Sequence, residues 1–185
     1  MLDTYIKPAI YLVLIIIIII LFYCCYHYRI KTKHECFQDN TIYEIPNQLT
    51  THKAKALVLS CMDFRLIDDQ VYHFNKMGFT NNYDSVVLAG ASLGFNQTKY
   101  PEWGQTLHTH IELSIQLHKI DEIIVLEHMD CGGYKLFYND SITEEEEVQY
   151  HKDNVKLFKK YINEKFPSLT VRSLLMKLDG TVMEL

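Results

Sequence analysis

Two short segments hold the residues best suited to chemistry. "SCMDFR" at 60–65 places Cys61, Asp63 and Arg65 at alternate positions, and "HMDCGG" at 128–133 places His128 three residues before Cys131. Two thiolates and an imidazole form a soft donor set suited to tetrahedral zinc. Three protein ligands leave the fourth position open, which is the pattern of a catalytic zinc. Asp63, two residues after Cys61, has two options. It either takes the fourth position and closes the site, or turns toward Arg65, whose planar fork captures a carboxylate at two points. Paired with Arg65, it stays ionised and accepts a proton from a water whose pKa zinc lowers to about 7. A Cys-x-x-Cys redox pair and a Cys-x5-Arg phosphate loop are both missing from the sequence.

Positioning these residues requires that distant segments meet. "AKALVLSC" (54–61), "DSVVLAGASLG" (84–94) and "DEIIVLEHMDCGG" (121–133) read as buried strands running into loaded or glycine-rich turns. Between them, "RLIDDQVYHFNKMG" (65–78) repeats Leu66, Ile67, Val71, Phe74 and Met77 at helical spacing, stopped by Gly78. "PEWGQTLHTHIELSIQLHKI" (101–120) repeats Trp103, Leu107, Ile111, Ile115 and Leu117 on one helical face. A last helix begins at the run Glu144–Glu147, expected to be a solvated helix start, and ends before Pro167. "TVRSLLMKLDGTVMEL" then reads as a final strand with a turn at Asp179-Gly180. The alternation predicts an α/β domain with a mostly parallel central β-sheet flanked by helices. In such a sheet the strand carboxyl ends share one edge, where ligands bind. Cys61, His128 and Cys131 therefore converge.

Cys-x-Asp-x-Arg followed by His-x-x-Cys-Gly resembles the signature of the β-class carbonic anhydrases. The likeness runs from about Ala54 to Tyr138, and "CMDFRL" is similar to the compact members of that class. The resemblance implies Zn2+ on Cys61, His128 and Cys131, with Asp63 and Arg65 as the catalytic dyad. It also implies reversible hydration of CO2 to bicarbonate by zinc-bound hydroxide. The expected assembly is a homodimer or higher homo-oligomer with the active site near the subunit interface. Gly90, Ala91, Ser92 and Gly132 are expected in the substrate pocket. Three places depart from the usual pattern. His52 replaces a glutamine nine residues before Cys61, Val87-Leu88-Ala89-Gly90 replaces Arg-Asn-Ala-Gly, and Glu127 replaces the glycine before His128. These changes alter the pocket wall and leave the metal ligands and dyad intact. CS2 or COS hydrolysis on the same zinc, or an inactive zinc-binding scaffold, are the alternatives.

The bulk properties agree with one ordinary domain. The chain has 185 residues, 48% hydrophobic, with a formal charge of −5. That mildly acidic balance argues against a nucleic-acid partner. Five scattered cysteines fit a reducing compartment better than a disulfide framework. Ahead of the domain, Ala9–Tyr26 is an uncharged apolar run of nearly bilayer length, with tyrosines near its ends. The expected organisation is a short segment 1–8, a transmembrane anchor 9–28, a linker 29–52 and the zinc domain 53–185. Arg29, Lys31 and Lys33 after the span, against Lys7 before it, predict a single-pass membrane protein with its catalytic domain in the cytoplasm. His52, His73, His108, His110 and His151 are candidates for proton transfer, each expected at the surface.

Overall fold

The computed structural model of the chain describes residues 16–24 and 51–185. It divides into two compact units, Met1–Leu49 and Thr50–Leu185. In the first, residues 16–24 are helical (α1) and carry the isoleucine run, with side chains exposed. The rest of the expected anchor 9–28 lies outside the described residues, as does most of the linker 29–52. Among the described residues, no helix is long and apolar enough to cross a membrane.

The second unit is built on a five-stranded sheet of order β2-β1-β3-β4-β5. Its strands are β1 (Ala56–Ser60), β2 (Tyr83–Val87), β3 (Glu122–His128), β4 (Thr170–Met176) and β5 (Val182–Glu184). The first four are mutually parallel, and β5 returns antiparallel to β4. Every residue of β1 and all but the first of β3 are buried, the uninterrupted apolar pattern of strands covered on both faces. The helices are α2 (Ile67–Lys76), α3 (Ser92–Asn96), α4 (Pro101–Leu113), α5 (Gly132–Phe137) and α6 (Glu144–Lys165). A 3-10 turn, Phe64–Leu66, precedes α2, and a π-helical turn, Ser114–His118, extends α4.

Strand alternation sorts the core into two layers. Leu57 and Leu59 of β1 with Ile123 and Val125 of β3 pack against Leu107 and Ile111 of α4 and Val155, Phe158 and Ile162 of α6. Ala56 and Val58 with Ile124 and Leu126 face the other way, onto Phe74 of α2 and Leu174 and Met176 of β4. Continued one step along β3, this parity turns Glu127 toward the α6 side. The register Ser60↔Leu126 brings the residues just past β1 and β3 to the same sheet edge.

The final strand expected over 170–185 is a hairpin, β4-β5. Its turn is closed by Gly180, at φ +83°, and by the Asp179 carboxylate accepting from the Thr181 N–H at 2.8 Å. α6 opens with a reciprocal capping box. Thr143 Oγ1 accepts from the Glu146 N–H and Glu146 Oε2 accepts from the Thr143 N–H. The glycine-rich turns expected after β2 and β3 instead start short helices, α3 and α5, too brief to show a helical period. The apolar face expected on α2 is only partly used. Leu66 and Phe74 are buried, whereas Ile67, Val71 and Tyr72 stay exposed.

Candidate metal centre

β1 ends at Ser60, so Cys61 is the first residue beyond it, and His128 is the last residue of β3. Asp130 then adopts a left-handed backbone, φ 58°, which swings Cys131 back toward the sheet edge. The donor atoms of Cys61, His128 and Cys131 all lie within 4.8 Å of one another. The two sulfurs are 3.8 Å apart. Two thiolates bound ~2.3 Å from a tetrahedral zinc are separated by about 3.8 Å, so this spacing suits one ion. His128 Nδ1 is engaged with the Met129 carbonyl at 2.9 Å, which leaves Nε2 buried without a hydrogen-bond partner. The donor set and the orphaned imidazole nitrogen both fit zinc.

The sulfurs share their proton unequally. A hydrogen bond from Cys131 pulls the Cys61 thiol down to about 4, against burial and helped by His128 and the Gly90 N–H at 3.3 Å. The same contact, together with burial, pushes the Cys131 thiol up. Burial opposes a charge on His128, but the Cys61 sulfur and Asp63 outweigh it and raise its pKa. Cys61 is thus held as the thiolate, the form that binds metal.

Asp63 turns toward Arg65. The guanidinium donates from Nε and Nη2 to both carboxylate oxygens at 2.7–3.2 Å, and the Arg65 backbone N–H donates to Oδ1 at 3.0 Å. These bonds, the side-chain ones first, hold the Asp63 carboxyl at about 2. Asp63 Oδ2 remains 3.9 Å from His128 Nε2. Arg65 is itself shared. Its Nη1 donates to Asp130 Oδ2 at 2.8 Å and its Nη2 to the Asp130 carbonyl at 3.0 Å, while Lys135 pairs with the other Asp130 oxygen.

A cavity of about 330 Å³ opens beside Cys61 and Asp63. Its walls include Ala89, Tyr100, Trp103, Leu136 and Phe137, with Tyr100 stacked on Trp103 at 4.6 Å between ring centres. Of the four expected pocket residues, only Gly132 lines this cavity, and Gly90 contributes its N–H to Cys61. Ala91 and Ser92 are fully buried, and Ser92 faces Glu127 instead. Of the two glycines after Cys131, the one with a steric reason is Gly133, where a Cβ would come within 3.1–3.2 Å of the Gly90 backbone. A Cβ at Gly132 would meet nothing. The aromatic wall was missed because Tyr100 and Trp103 sit at the start of α4, where periodicity assigned Trp103 to the core.

Beneath the Asp130–Cys131 turn lies a buried ionic cluster. Glu127 accepts from the Ser92 N–H at 3.0 Å and from the Ser92 hydroxyl through one oxygen, and from Tyr134 at 3.3 Å and His151 Nδ1 at 2.9 Å through the other. Glu147 accepts from the Asp130 N–H at 3.0 Å and the Cys131 N–H at 2.7 Å, and lies 3.9 Å from His151 Nε2. Burial opposes a charge on His151, but its hydrogen bond to Glu127 and the nearby Glu147 carboxylate win and raise its pKa to about 9, although Nε2 itself has no hydrogen-bond partner. Burial likewise opposes a charge on Glu147, yet His151 and the two backbone donors lower its pKa. His151 was expected at the surface and Glu147 in a solvated helix start; both are buried. Residues four apart on one helix share a face, and α6 lies across the end of β3. His73, His108 and His110 do not line the site cavity. His108 instead pairs with Tyr161 at 2.6 Å in a separate cavity on α4 and α6.

Sheet order and strand-end placement together describe an α/β domain that gathers a Cys-His-Cys cluster at one sheet edge. Residues 51–181 match the family described as "putative carbonic anhydrase", and the chain belongs to that family. Uncharacterised proteins of Rickettsia bellii and Rickettsia conorii are each 39% identical over 138 residues. The matches cover 74% of this chain and, respectively, 84% and 74% of the relatives. Among solved structures, β-carbonic anhydrase isoform I of Trichomonas vaginalis is similar with a TM-score of 0.50 at 15% identity. That alignment covers 90% of this chain and 96% of the other, and the likeness is one of fold.

Proposed function

We propose that the protein is a zinc-dependent carbonic anhydrase interconverting CO2 and bicarbonate. The observation that carries this reading is the convergence of two sulfurs 3.8 Å apart and an unpartnered His128 Nε2 beside an Asp63 held by Arg65. Cys61, His128 and Cys131 hold the metal. When bound, zinc lowers the pKa of water to about 7 and so supplies a nucleophile near neutral pH. Asp63 Oδ2, which faces His128, is the proton acceptor, and Arg65 keeps that carboxylate ionised and turned off the metal position. Arg65 engages both Asp63 oxygens, which favours an open site over one closed by Asp63. The walls of Tyr100, Trp103, Leu136 and Phe137 receive a small apolar molecule and keep bulk water away.

Purified protein should bind about one zinc per chain and accelerate oxygen-isotope exchange of CO2 between about pH 7 and 9. Bound zinc without exchange in that range would overturn the anhydrase reading. Sulfide release from CS2 or COS would assign the same site to the sulfur analogues, and a zinc-loaded chain inert to all three gases would be a scaffold.

The remaining features extend this reading. Met62, Phe64, Ile67, Val71 and Tyr72 form an exposed apolar stretch following Cys61, suited to a second copy of the chain in a homodimer beside the site. The segment 9–28 acts as a single-pass anchor, supported by its uncharged length and by the exposed isoleucines of α1. The basic residues after it support a cytoplasmic side for the zinc domain, 53–185, with 29–52 as linker. "CMDFRL" assigns the chain to the compact members of the class.

A further inference from the structure

The left-handed backbone of Asp130 aims two successive N–H groups, those of Asp130 and Cys131, the same way. Such a concavity of backbone donors binds anions. Here the anion comes from the protein itself, as each oxygen of Glu147 takes one N–H, at 3.0 and 2.7 Å. Glu147 reaches inward from α6, and all but 4% of its surface is buried. Behind it stands His151, one turn along the helix, 3.9 Å from Glu147 and bonded to Glu127 at 2.9 Å. Glu127 directly precedes the ligand His128 and is fixed in turn by Ser92 and Tyr134. Three residues of the ligand segment, Glu127, Asp130 and Cys131, are thus tied to the same face of α6.

We propose that Glu147, backed by the buried His151–Glu127 pair, is the positioning residue of the metal centre, clamping the 130–131 backbone so that the Cys131 sulfur faces Cys61 and His128. This rests on the reading of those three residues as metal ligands. A non-glycine residue keeps a left-handed conformation only where its surroundings over-determine it, and among the described residues the Glu147 carboxylate is the acceptor for both N–H groups of this turn. Groups that orient metal ligands from behind typically change metal affinity 10–100-fold when removed.

The test compares Glu147→Ala and the isosteric Glu147→Gln with the parent, in the full chain. Three quantities are read: amide hydrogen exchange at Asp130 and Cys131 without metal, zinc affinity by competition with a chelator, and the thiolate-to-cobalt absorption of the Co2+-substituted protein. Glu147→Ala should lose protection at both amides, bind zinc about 10–100-fold more weakly and shift the cobalt bands. Glu147→Gln, which folds with unchanged volume and retains one acceptor oxygen, should fall between. Ile162→Val, a change in the α6 core distant in sequence from the turn, should lower the melting temperature without altering zinc affinity. Parent-like zinc affinity and cobalt spectrum in folded Glu147→Gln and Glu147→Ala would overturn the proposal and leave the metal reading standing. An equal zinc loss in Ile162→Val at matched melting temperature would overturn it too, by reducing the effect to general stability. A parent chain that binds no zinc would overturn the metal reading and this proposal with it.

Discussion

Two ionic clusters flank the Cys131 turn, and they use the same kinds of charge in opposite surroundings. On the solvent side, Arg65 joins Asp63 to Asp130, and Asp130 also pairs with Lys135; the Arg65 and Asp130 side chains remain 36% and 44% exposed. On the inner side, His151 is fully buried between Glu127 and Glu147. Exposed ion pairs typically contribute 0–1 kcal/mol, because water screens them and the side chains lose freedom. The outer cluster therefore acts through geometry, keeping a carboxylate aimed and ionised. In a buried cluster each charge depends on its partner, since an unpaired one is strongly destabilising. The inner cluster is a structural commitment, and the outer one sets the direction and charge of Asp63.

The sharpest way to break this contrast is to remove the central residue of the inner cluster. His151→Ala should lower unfolding stability by about 3 kcal/mol, the low end for a broken buried pair, because Glu127 and Glu147 keep their other donors. Urea denaturation midpoints measure it, and a loss under about 1 kcal/mol would put the cluster in the class of surface pairs.

The same residue gives the contrast a pH signature. Its folded pKa, about 9, lies above the ordinary 6.5, so its contribution is complete below pH 6.5 and fades as pH rises through 9. A shift of that size corresponds to about 3 kcal/mol. The stability difference between metal-free parent and His151→Ala should therefore shrink across that window. A pH-independent difference would show that the histidine is not charged in the folded state.

Smaller effects on stability, with larger ones on turnover, are expected outside. Asp63→Asn should lower stability by less than His151→Ala does, while lowering CO2 exchange about 100-fold, the lower range for loss of a positioned proton acceptor. Asp130→Asn keeps one neutral contact to Arg65 and should cost only a few-fold in exchange, with stability within about 1 kcal/mol of the parent. Equal stability losses from Asp63→Asn and His151→Ala would erase the distinction between the two clusters.

The Cys-His-Cys set and the Asp63–Arg65 pair were legible in the sequence because strand ends carry them, whereas Asp130 and Lys135, which complete the outer cluster, were not. A buried apolar run ending in Cys61, and another ending in His128, suffice to place both at one sheet edge, and Asp63 and Arg65 are local to the first. The inner cluster was not legible, because its members come from β3, α3, α5 and α6 and meet only through packing. The run Glu144–Glu147 has the composition of a solvated helix start, and three of its four members behave that way. Glu147 differs only in its phase relative to His151, Val155, Phe158 and Ile162, the face that α6 buries. Glu127 was legible as a departure from the usual glycine but not as a buried ion, since its partners lie 7 to 35 residues away. The aromatic wall of the cavity likewise depends on α4 and α5 facing each other, which no short motif encodes.

The sharing of Glu127 has a consequence for which substitutions such a chain can accept. One carboxylate now serves Ser92, Tyr134 and His151 on three separate helices. Residues that share a buried partner do not contribute additively. Exchanging Glu127 alone strands its buried donors, whereas each carboxylate oxygen keeps a second donor when one donor alone is exchanged. A change at Glu127 is therefore tolerated best when Ser92, Tyr134 and His151 change with it.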